Sequence, residues 1–279
     1  MIGFIYGICI ILLVIGTFTD LKVREVPDWL NYSGIFAGLG LRLIWSLSSF
    51  DWSFILEGLL GFGVFFGIAV AMFYLGQWGG GDSKLLMALG ALLGLSFSFD
   101  SFTIAFIINL MIIGGIYGLF WSIALALRNF KKFRKQLRKS MSSNRRLRAL
   151  FLGFSLALFV AAFFMQDIFY RLLLIFIALF VPMMNYLIIA VRAVEFSSMY
   201  KRVNPSKLTE GDWIANDVKV KGKRICGPKD LGIEKKQIRQ LIKAKVKSVV
   251  IKVGIPFVPS FLLAFLLTLW IGNPLAYLL

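Results

Sequence analysis

Two aspartates stand at the ends of apolar segments in a chain that contains no histidine. Asp20 closes the apolar run 2–19, and Asp82 opens another apolar run after the glycines 79–81. Ionisable side chains are costly at membrane depth, so the few that occur there are candidates for function. Two carboxyl groups beside one water molecule share a proton, because they cannot readily both ionise. Such a pair can hydrolyse a peptide bond: one carboxylate takes a proton from water while the other, protonated, donates to the carbonyl.

Glycines Gly79, Gly80 and Gly81 precede Asp82 directly. Without a Cβ atom, such a backbone can approach an extended substrate closely or adopt a positive φ. A purely structural alternative is that Asp82 caps a helix and accepts from free amide groups, while the glycines form the turn. Asp20 by itself is less distinctive, since charged residues often close a span. The hypothesis of catalysis therefore depends on the pair lying at the same membrane face.

The composition excludes several other chemistries. The absence of histidine removes the HExxH metalloprotease pattern and any serine or cysteine catalysis that needs an imidazole base. Cys9 and Cys226 are the two cysteines, one in an apolar run and the other in a polar segment, so neither a structural disulfide nor a CxxC zinc site is expected. We therefore expect neither a metal nor an organic cofactor.

The apolar content predicts a protein that crosses the membrane several times. Hydrophobic residues make up 59% of the 279 residues, and several runs approach the roughly 20 residues that span a bilayer as a helix. Because 150–191 is divided only by Gln166-Asp167 and Arg171, the number of spans is about eight, alternatively six. The expected fold is an all-α polytopic membrane protein with a small cytosolic α+β subdomain. The apolar segments are 2–19, 29–48, 54–76, 83–98, 102–127, 150–165, 168–191 and 255–278.

Basic residues indicate the orientation of the chain. There are 31 Lys and Arg against 14 Asp and Glu, a net charge of +17. With eight spans, all of these cations except Arg42 and Arg171 fall in connections on one side, which the positive-inside rule identifies as cytosolic. Both termini then face outward. The charge is explained by topology and by anionic lipid headgroups, so we expect the lipid bilayer as a partner and no nucleic acid.

The same pattern predicts five segments along the chain. The basic connector is expected to lie as a helix on the headgroups. The polar stretch between the seventh and the eighth span is long enough for a small subdomain. The segments are a catalytic membrane core (1–127), a basic cytosolic connector (128–149), an additional helical hairpin (150–191), the cytosolic subdomain (192–253) and a C-terminal transmembrane helix (254–279).

Local patterns within these segments give further expectations. Residues 212–225 alternate like two strands that turn near Lys221-Gly222, and residues 234–250 are typical of a basic helix. The glycines in 61–63 favour close helix packing. Five tryptophans near segment ends are expected to anchor the chain at the membrane interface: Trp29, Trp45, Trp52, Trp78 and Trp270.

At these residues the sequence resembles a known family. Residues 79–82, GGGD, match the GxGD motif of intramembrane aspartyl proteases. Residues 20–32, DLKVREVPDWLNY, resemble the segment that follows the first catalytic aspartate of type IV prepilin peptidases. The order of the two motifs, about 60 residues apart, is more specific than either motif alone. The resemblance covers residues 1–127, and GIPFVPSFLLAF at 254–265 is similar to the last span of the archaeal members, the preflagellin peptidases.

The resemblance implies a membrane aspartyl endopeptidase with Asp20 and Asp82 as the catalytic pair and Gly79 and Gly81 as motif glycines. Its substrates would be archaellin or type IV pilin-like precursors with class III signal peptides, cleaved at the cytosolic interface of the cell membrane. The chain lacks the four-cysteine module of the bacterial members, so cleavage without N-methylation is expected.

A basic leader that approaches this cationic face would need acidic residues nearby. Glu25 and Asp28 lie between the two candidate catalytic aspartates in the chain and could supply that charge, although Lys22, Arg24 and Lys84 oppose it. The alternative is that Glu25 and Asp28 simply keep their loop hydrated.

Two other functions are compatible with a pair of membrane aspartates. Proteases of the presenilin and signal-peptide-peptidase type share GxGD, but they carry a PAL tripeptide that is not found here, and they cut within a hydrophobic helix. A cation-coupled transporter could bind ions at the aspartates of a broken helix. An inverted repeat would support transport, and none is evident in the sequence.

Overall fold

The computed structural model describes residues 2–96, 98, 101–143, 145–220 and 222–277. They form ten α-helices and five short strands. The chain divides into two compact units, one made of residues 1–120 with 254–279 and the other of residues 121–253.

The first unit is helical. Its helices place both candidate aspartates at helix ends, since Asp20 lies in the last turn of α1 and Asp82 in the first turn of α4. The helices are α1 (Ile2–Val23), α2 (Asp28–Ser49), α3 (Ser53–Tyr74), α4 (Gly80–Leu93), α5 (Phe102–Arg128), which begins in this unit, and α10 (Val258–Ile271).

Helix α4 is the buried centre of this unit, and glycines let its neighbours approach it. A Cβ atom at Gly61 of α3 would lie 2.4 Å from the carbonyl oxygen of Gly90 in α4. A Cβ atom at Gly38 of α2 would lie 2.7 Å from the backbone nitrogen of Leu92. Backbones in contact at this range leave no room for a side chain. The expectation of glycine-mediated packing in 61–63 is thus confirmed at Gly61, whereas Gly63 faces open space.

A buried arginine closes the far end of α4. The Arg42 side chain donates from Nε to the Leu92 carbonyl oxygen at 3.1 Å and from Nη1 to that of Phe54 at 2.9 Å. Glu57 lies 3.5 Å from the same guanidinium group. The last carbonyls of a helix lack intrahelical partners and carry partial negative charge, so a cation there stabilises the helix end. Gly94, at φ +66°, leaves the space that the guanidinium group occupies.

The second unit begins with three helices in sequence: α6 (Phe130–Ser143), α7 (Arg145–Phe163) and α8 (Ile168–Val194). The basic connector is helical as expected; its position on a membrane stays a prediction. Residues 150–191 form two separate helices, α7 and α8. Asp167 begins α8, where its side chain accepts from the backbone N–H of Phe169 at 2.7 Å.

The small subdomain combines two antiparallel sheets with one helix. Strands β1 (Tyr200–Val203), β5 (Val249–Lys252) and β2 (Trp213–Ile214) form one sheet in that order. Strands β3 (Val218–Val220) and β4 (Lys223–Cys226) pair with each other. The expected strand pair in 212–225 is confirmed for β3 and β4; Lys221, at the expected turn, lies outside the described residues.

The helix expected over residues 234–250 is only half correct. Helix α9 covers Lys235–Lys243 and is followed by Lys245 at φ +52°, a backbone conformation that ends a right-handed helix. The chain then continues into β5, which is rich in β-branched residues and pairs with both neighbouring strands. Sheet pairing and burial of Val249 and Ile251 therefore override the helical pattern.

Cys226 belongs to the core of this subdomain, together with Ile214, Ile233 and Leu241. Burial raises the pKa of the Cys226 thiol above its ordinary value. A buried thiol of raised pKa is a poor nucleophile, so this cysteine has a packing role.

Five helical stretches among the described residues are long and apolar enough to cross a membrane. Helix α2 has 22 residues but a less apolar sequence, and α10 is apolar but shorter, with 14 residues. The structure therefore supports a helical membrane protein. The five stretches are Ile2–Val23, Ser53–Tyr74, Phe102–Arg128, Arg145–Phe163 and Ile168–Met199.

The α3–α4 contact can be tested by adding one methyl group. We expect Gly61→Ala to destabilise the protein, because the new Cβ atom would overlap the Gly90 carbonyl and overpacking costs about 1–3 kcal/mol. Thermal unfolding of the protein in detergent measures the loss. Gly63→Ala is the matched control, since it adds the same group to the same helix in open space. Equal destabilisation by both variants would contradict the close contact.

Candidate active site

Asp20 is held by the beginning of the last helix. Its side chain is 4% exposed, and Oδ2 accepts a hydrogen bond from the backbone N–H of Val258 at 2.9 Å. Val258 is the first residue of α10, and Pro259 follows in the first helical turn. Free amide groups and the positive end of the helix dipole stabilise a carboxylate at this position. The first and last helices of the chain thus meet at the candidate catalytic group.

A glycine one turn before Asp20 allows this approach. A Cβ atom at Gly16 would lie 3.2 Å from Cδ2 of Leu85 in α4 and 3.3 Å from Cγ1 of Val258 in α10. Both contacts are tighter than ordinary van der Waals packing. Gly16 therefore lets the end of α1 lie between the two helices that carry the other parts of the site.

Asp82 lies half-buried in the first turn of α4. Its Oδ2 atom accepts from the backbone N–H of Gly79, the N-cap residue, at 3.0 Å. Asp82 is therefore the third residue of the helix and reaches back to the cap, instead of being the cap itself. The structural explanation of Asp82 holds in this modified form. It leaves the second carboxylate oxygen available for other interactions, since a carboxylate has two acceptor atoms.

The fold brings the two aspartates to one site. Their carboxyl groups lie close enough for the negative charges to repel each other. The hydroxyl of Tyr117 in α5 is also near enough to Asp20 to interact electrostatically. Two carboxyls that both reach one water molecule favour a state in which one proton serves both. That state can supply an acid and a base at the same time.

The three glycines before Asp82 differ in their surroundings. A Cβ atom at Gly81 would lie 3.0 Å from the backbone nitrogen of Val26 and 3.2 Å from its Cβ. At Gly80 the nearest atom would be 3.9 Å away, an ordinary distance, and at Gly79 it would be the Asp82 carboxylate at 3.4 Å. Only Gly81 is therefore needed for a close approach, between the start of α4 and the loop after α1.

Asn31 is a site residue that the sequence analysis did not identify. It is fully buried in α2, and its Nδ2 atom donates to the Gly81 carbonyl oxygen at 3.4 Å. Its Oδ1 atom has no hydrogen-bond partner within the described part of the chain. A polar amide side chain one turn into an apolar segment is the sequence signal that could have indicated it. Asn31 holds the backbone beside Asp82.

Glu25 is exposed between α1 and α2, and Asp28 is the exposed first residue of α2. Asp28 forms an ion pair with Lys84, at 2.6 Å between Oδ1 and Nζ. The same lysine lies 5.5 Å from the ring centre of Tyr32. The charge of Asp28 is thus compensated locally, which reduces what it can offer to a cationic ligand. Arg24 donates to the backbone carbonyl of Gly254, a further link between this loop and the start of the C-terminal segment.

The interfacial role expected for Trp78 is wrong. Trp78 is only 9% exposed, and its ring centre lies 5.8 Å from that of Phe257 and 5.3 Å from that of Phe261. Trp78 directly precedes the glycines that lead to Asp82, and Phe257 directly precedes Val258, whose amide binds Asp20. The rings therefore pack together the two segments that position the carboxyls. The other four tryptophans are exposed as an interfacial role requires: Trp29, Trp45, Trp52 and Trp270.

The described residues contain no cluster of three or more His, Cys, Asp or Glu side chains that could hold a metal ion. The groups that the described residues place at this site are two carboxyls, a nearby phenol and backbone amides.

Part of the chain matches a known protein family. Residues 7–119 match the model of the type IV leader peptidase family. Asp20, Asp82 and the three glycines all lie inside the matched stretch. This stretch is less than half of the chain, and it is similar to the type IV leader peptidase family.

One relative is a preflagellin peptidase of Methanocaldococcus jannaschii, which is 42% identical over 93 residues. The match covers 33% of this chain and 38% of the relative, so the chain spans well under two thirds of that protein. No solved structure matches the chain.

The close approach at Gly81 has a local consequence. We expect Gly81→Ala to displace the Val26 backbone, because the added Cβ would lie 3.0 Å from its nitrogen. Faster hydrogen exchange of residues 24–27, measured by mass spectrometry on the detergent-solubilised protein, would report the change. Gly80→Ala adds the same methyl group one residue earlier, at an ordinary contact distance, and should leave that exchange unchanged. Unchanged exchange in Gly81→Ala would disprove the tight contact.

Proposed function

We propose that the protein is a membrane aspartyl endopeptidase that removes the basic leader peptide from archaellin or type IV pilin-like precursors. The carrying observation is that the helix ends that bear Asp20 and Asp82 pack closely, through Gly16 of α1 and Leu85 of α4, within the stretch that matches the leader peptidase family. The match to a leader peptidase family supports hydrolysis of a peptide bond more directly than ion transport.

The proposed reaction uses one water and the shared proton. The ionised carboxyl takes a proton from the water molecule as the water oxygen attacks the peptide carbonyl carbon. The protonated carboxyl donates its proton to the carbonyl oxygen. The tetrahedral intermediate then breaks at the C–N bond. The newly protonated carboxyl donates its proton to the leaving amine, and the other carboxylate takes the proton of one hydroxyl of the intermediate as the carbonyl re-forms. Asp20 remains positioned by the Val258 amide and Asp82 by the Gly79 amide throughout.

The proposed substrate has a class III signal peptide, with a short basic leader before a hydrophobic helix. We place the site at the cytosolic interface of the cell membrane, in a chain of eight spans with both termini outward. Glu25 and Asp28 are exposed near the site and would supply acidic charge for the leader, although Lys84 partly compensates Asp28. We further propose cleavage without N-methylation, since the chain has only two cysteines and so lacks the four-cysteine module.

Isosteric substitution tests the catalytic pair. Asp20→Asn and Asp82→Asn should each lower the cleavage rate of a prepilin or pre-archaellin by about 10³-fold or more, because an amide can neither accept nor share the proton. The rate is measured in detergent, and the mass of the mature product reports the cleaved bond and any methyl group. Asp51→Asn, in the exposed α2–α3 connection, is the control with the same chemical change and should retain the full rate. Substantial cleavage by either active-site variant would remove that residue from the mechanism.

The proposed topology can be tested by thiol labelling. Cys9 and Cys226 are both buried, so an added exposed cysteine reacts against a low background. We expect Ser49→Cys, at the exposed last residue of α2, to react with a membrane-impermeant maleimide in intact cells. Ser206→Cys, in the small subdomain, should react only after the cells are lysed. Labelling of Ser206→Cys in intact cells would contradict a cytosolic subdomain.

A further inference from the structure

Helix α6 has three different faces. Phe130, Phe133, Leu137 and Met141 form an apolar stripe, with the spacing of residues on one side of a helix. A second face carries four cations around a shallow depression: Lys131, Arg134, Lys135 and Arg138. A third face is polar and packs toward α8. The first two faces fit a helix that lies on a membrane surface, whereas the third forms part of a cavity.

A cavity of about 210 Å³ lies between α6 and the end of α8. The residues that line it recur three or four positions apart on each of the two sides, so each side contributes one face of a helix. Helix α6 supplies Gln136, Lys139, Ser140 and Ser143, and the second stripe consists of Ile189, Arg192 and Phe196. The second stripe continues from α8 into the π-helix Glu195–Met199.

The cleft is positively charged and already formed. Lys139 and Arg192 are its charged residues, and neither forms an ion pair with a described acidic residue. Glu195, the neighbouring acid in sequence, is engaged elsewhere by Lys252, at 2.8 Å. Asn129, just before α6, donates to the Ser198 hydroxyl at 3.1 Å and ties the helix to the π-helix. An anion would therefore meet two cations without having to displace a carboxylate.

The apolar wall of the cleft indicates an amphiphilic ligand. Phe196 is 54% exposed, whereas Ile189 is buried at the base of the cleft, and both belong to a stretch, Ile168–Met199, that is apolar enough to span a membrane. Next to the cavity, Ile188 and Val191 on α8 are also exposed. A free phosphate would use only the polar residues. A phospholipid would use both parts, with its acyl chains along α8 and its headgroup between the helices.

We propose that this cleft is a binding site for the phosphate headgroup of an anionic phospholipid. Arg192 offers planar paired N–H donors that match phosphate oxygens, and Lys139 adds a second charge. Gln136 and Ser143 can donate further hydrogen bonds. The site lies wholly within the second unit and does not depend on the proposed peptidase activity.

Lipid retention by the full-length protein tests the proposal. The protein is purified in detergent, incubated with phosphatidylglycerol or phosphatidylcholine, and examined by native mass spectrometry for bound lipid. We expect phosphatidylglycerol to be retained preferentially, and Lys139→Gln/Arg192→Gln to reduce that retention by about tenfold or more. The control, Lys131→Gln/Arg134→Gln, removes the same charge from the cationic face outside the cleft and should change retention by less than about twofold. Single variants Lys139→Gln and Arg192→Gln should each lose part of the retention.

Three results would overturn the proposal. Equal loss in both double variants would mean that diffuse surface charge holds the lipid. Equal retention of the two lipids by the unsubstituted protein would remove the role of the anionic headgroup. Displacement of phosphatidylglycerol by glycerol phosphate at matched concentration would identify a site for soluble anions. Unchanged thermal unfolding of the double variants shows that any loss of lipid reflects the cleft and not the fold.

Discussion

The hydrogen bond from the Val258 amide to Asp20 is the constraint on which the candidate site depends. It requires the first helix to end where the last helix begins, although 238 residues separate the two partners. Gly16 and the packed rings of Trp78 and Phe257 make that meeting possible, since they bring α1, the glycine turn and the start of α10 together. A buried carboxylate without such a donor would be costly to leave charged. The contact therefore both positions the acid and stabilises its ionised form.

Helix α4 sets the position of the second carboxyl, and its own position is fixed by backbone contact and by charge. Gly38 and Gly61 let two helices approach its backbone, and Arg42 binds the carbonyls at its far end. Asp82 occupies the opposite end, so the helix carries an anion at its positive terminus and a cation at its negative one. The arginine buried in α2, Arg42, is thus explained as the cation that binds the carbonyl end of α4. It also limits how far Asp82 can move without disturbing the core.

Much of this could be predicted from the sequence, and the failures have definable causes. The cost of charge in lipid made Asp20 and Asp82 candidates, whose catalytic role stays a prediction. The apolar runs lie where the structure has helices, and five helical stretches of the described residues are long and apolar enough to cross a membrane. The Val258 amide could not be found in this way, because every residue except proline carries one and only the fold selects it. Trp78 was assigned to the interface because proximity to a segment end does not reveal which side of the chain is covered. In the subdomain, the cationic pattern of α9 continued into β5, where pairing with two strands decided the conformation.

The two helices that begin at the site are short. Helices α4 and α10 have 14 residues each, which corresponds to a rise of about 21 Å, whereas the hydrocarbon layer is about 30 Å thick. In the proposed topology, α4 and α10 end at the outer surface of the membrane. Their first residues, which carry the site, would then lie several ångströms below the cytosolic headgroups. Such a depression would fill with water from the cytosol, or the bilayer would become thinner there. In either case water would reach the carboxyls. It would also expose the first residues of an embedded substrate helix while the remainder stayed in lipid.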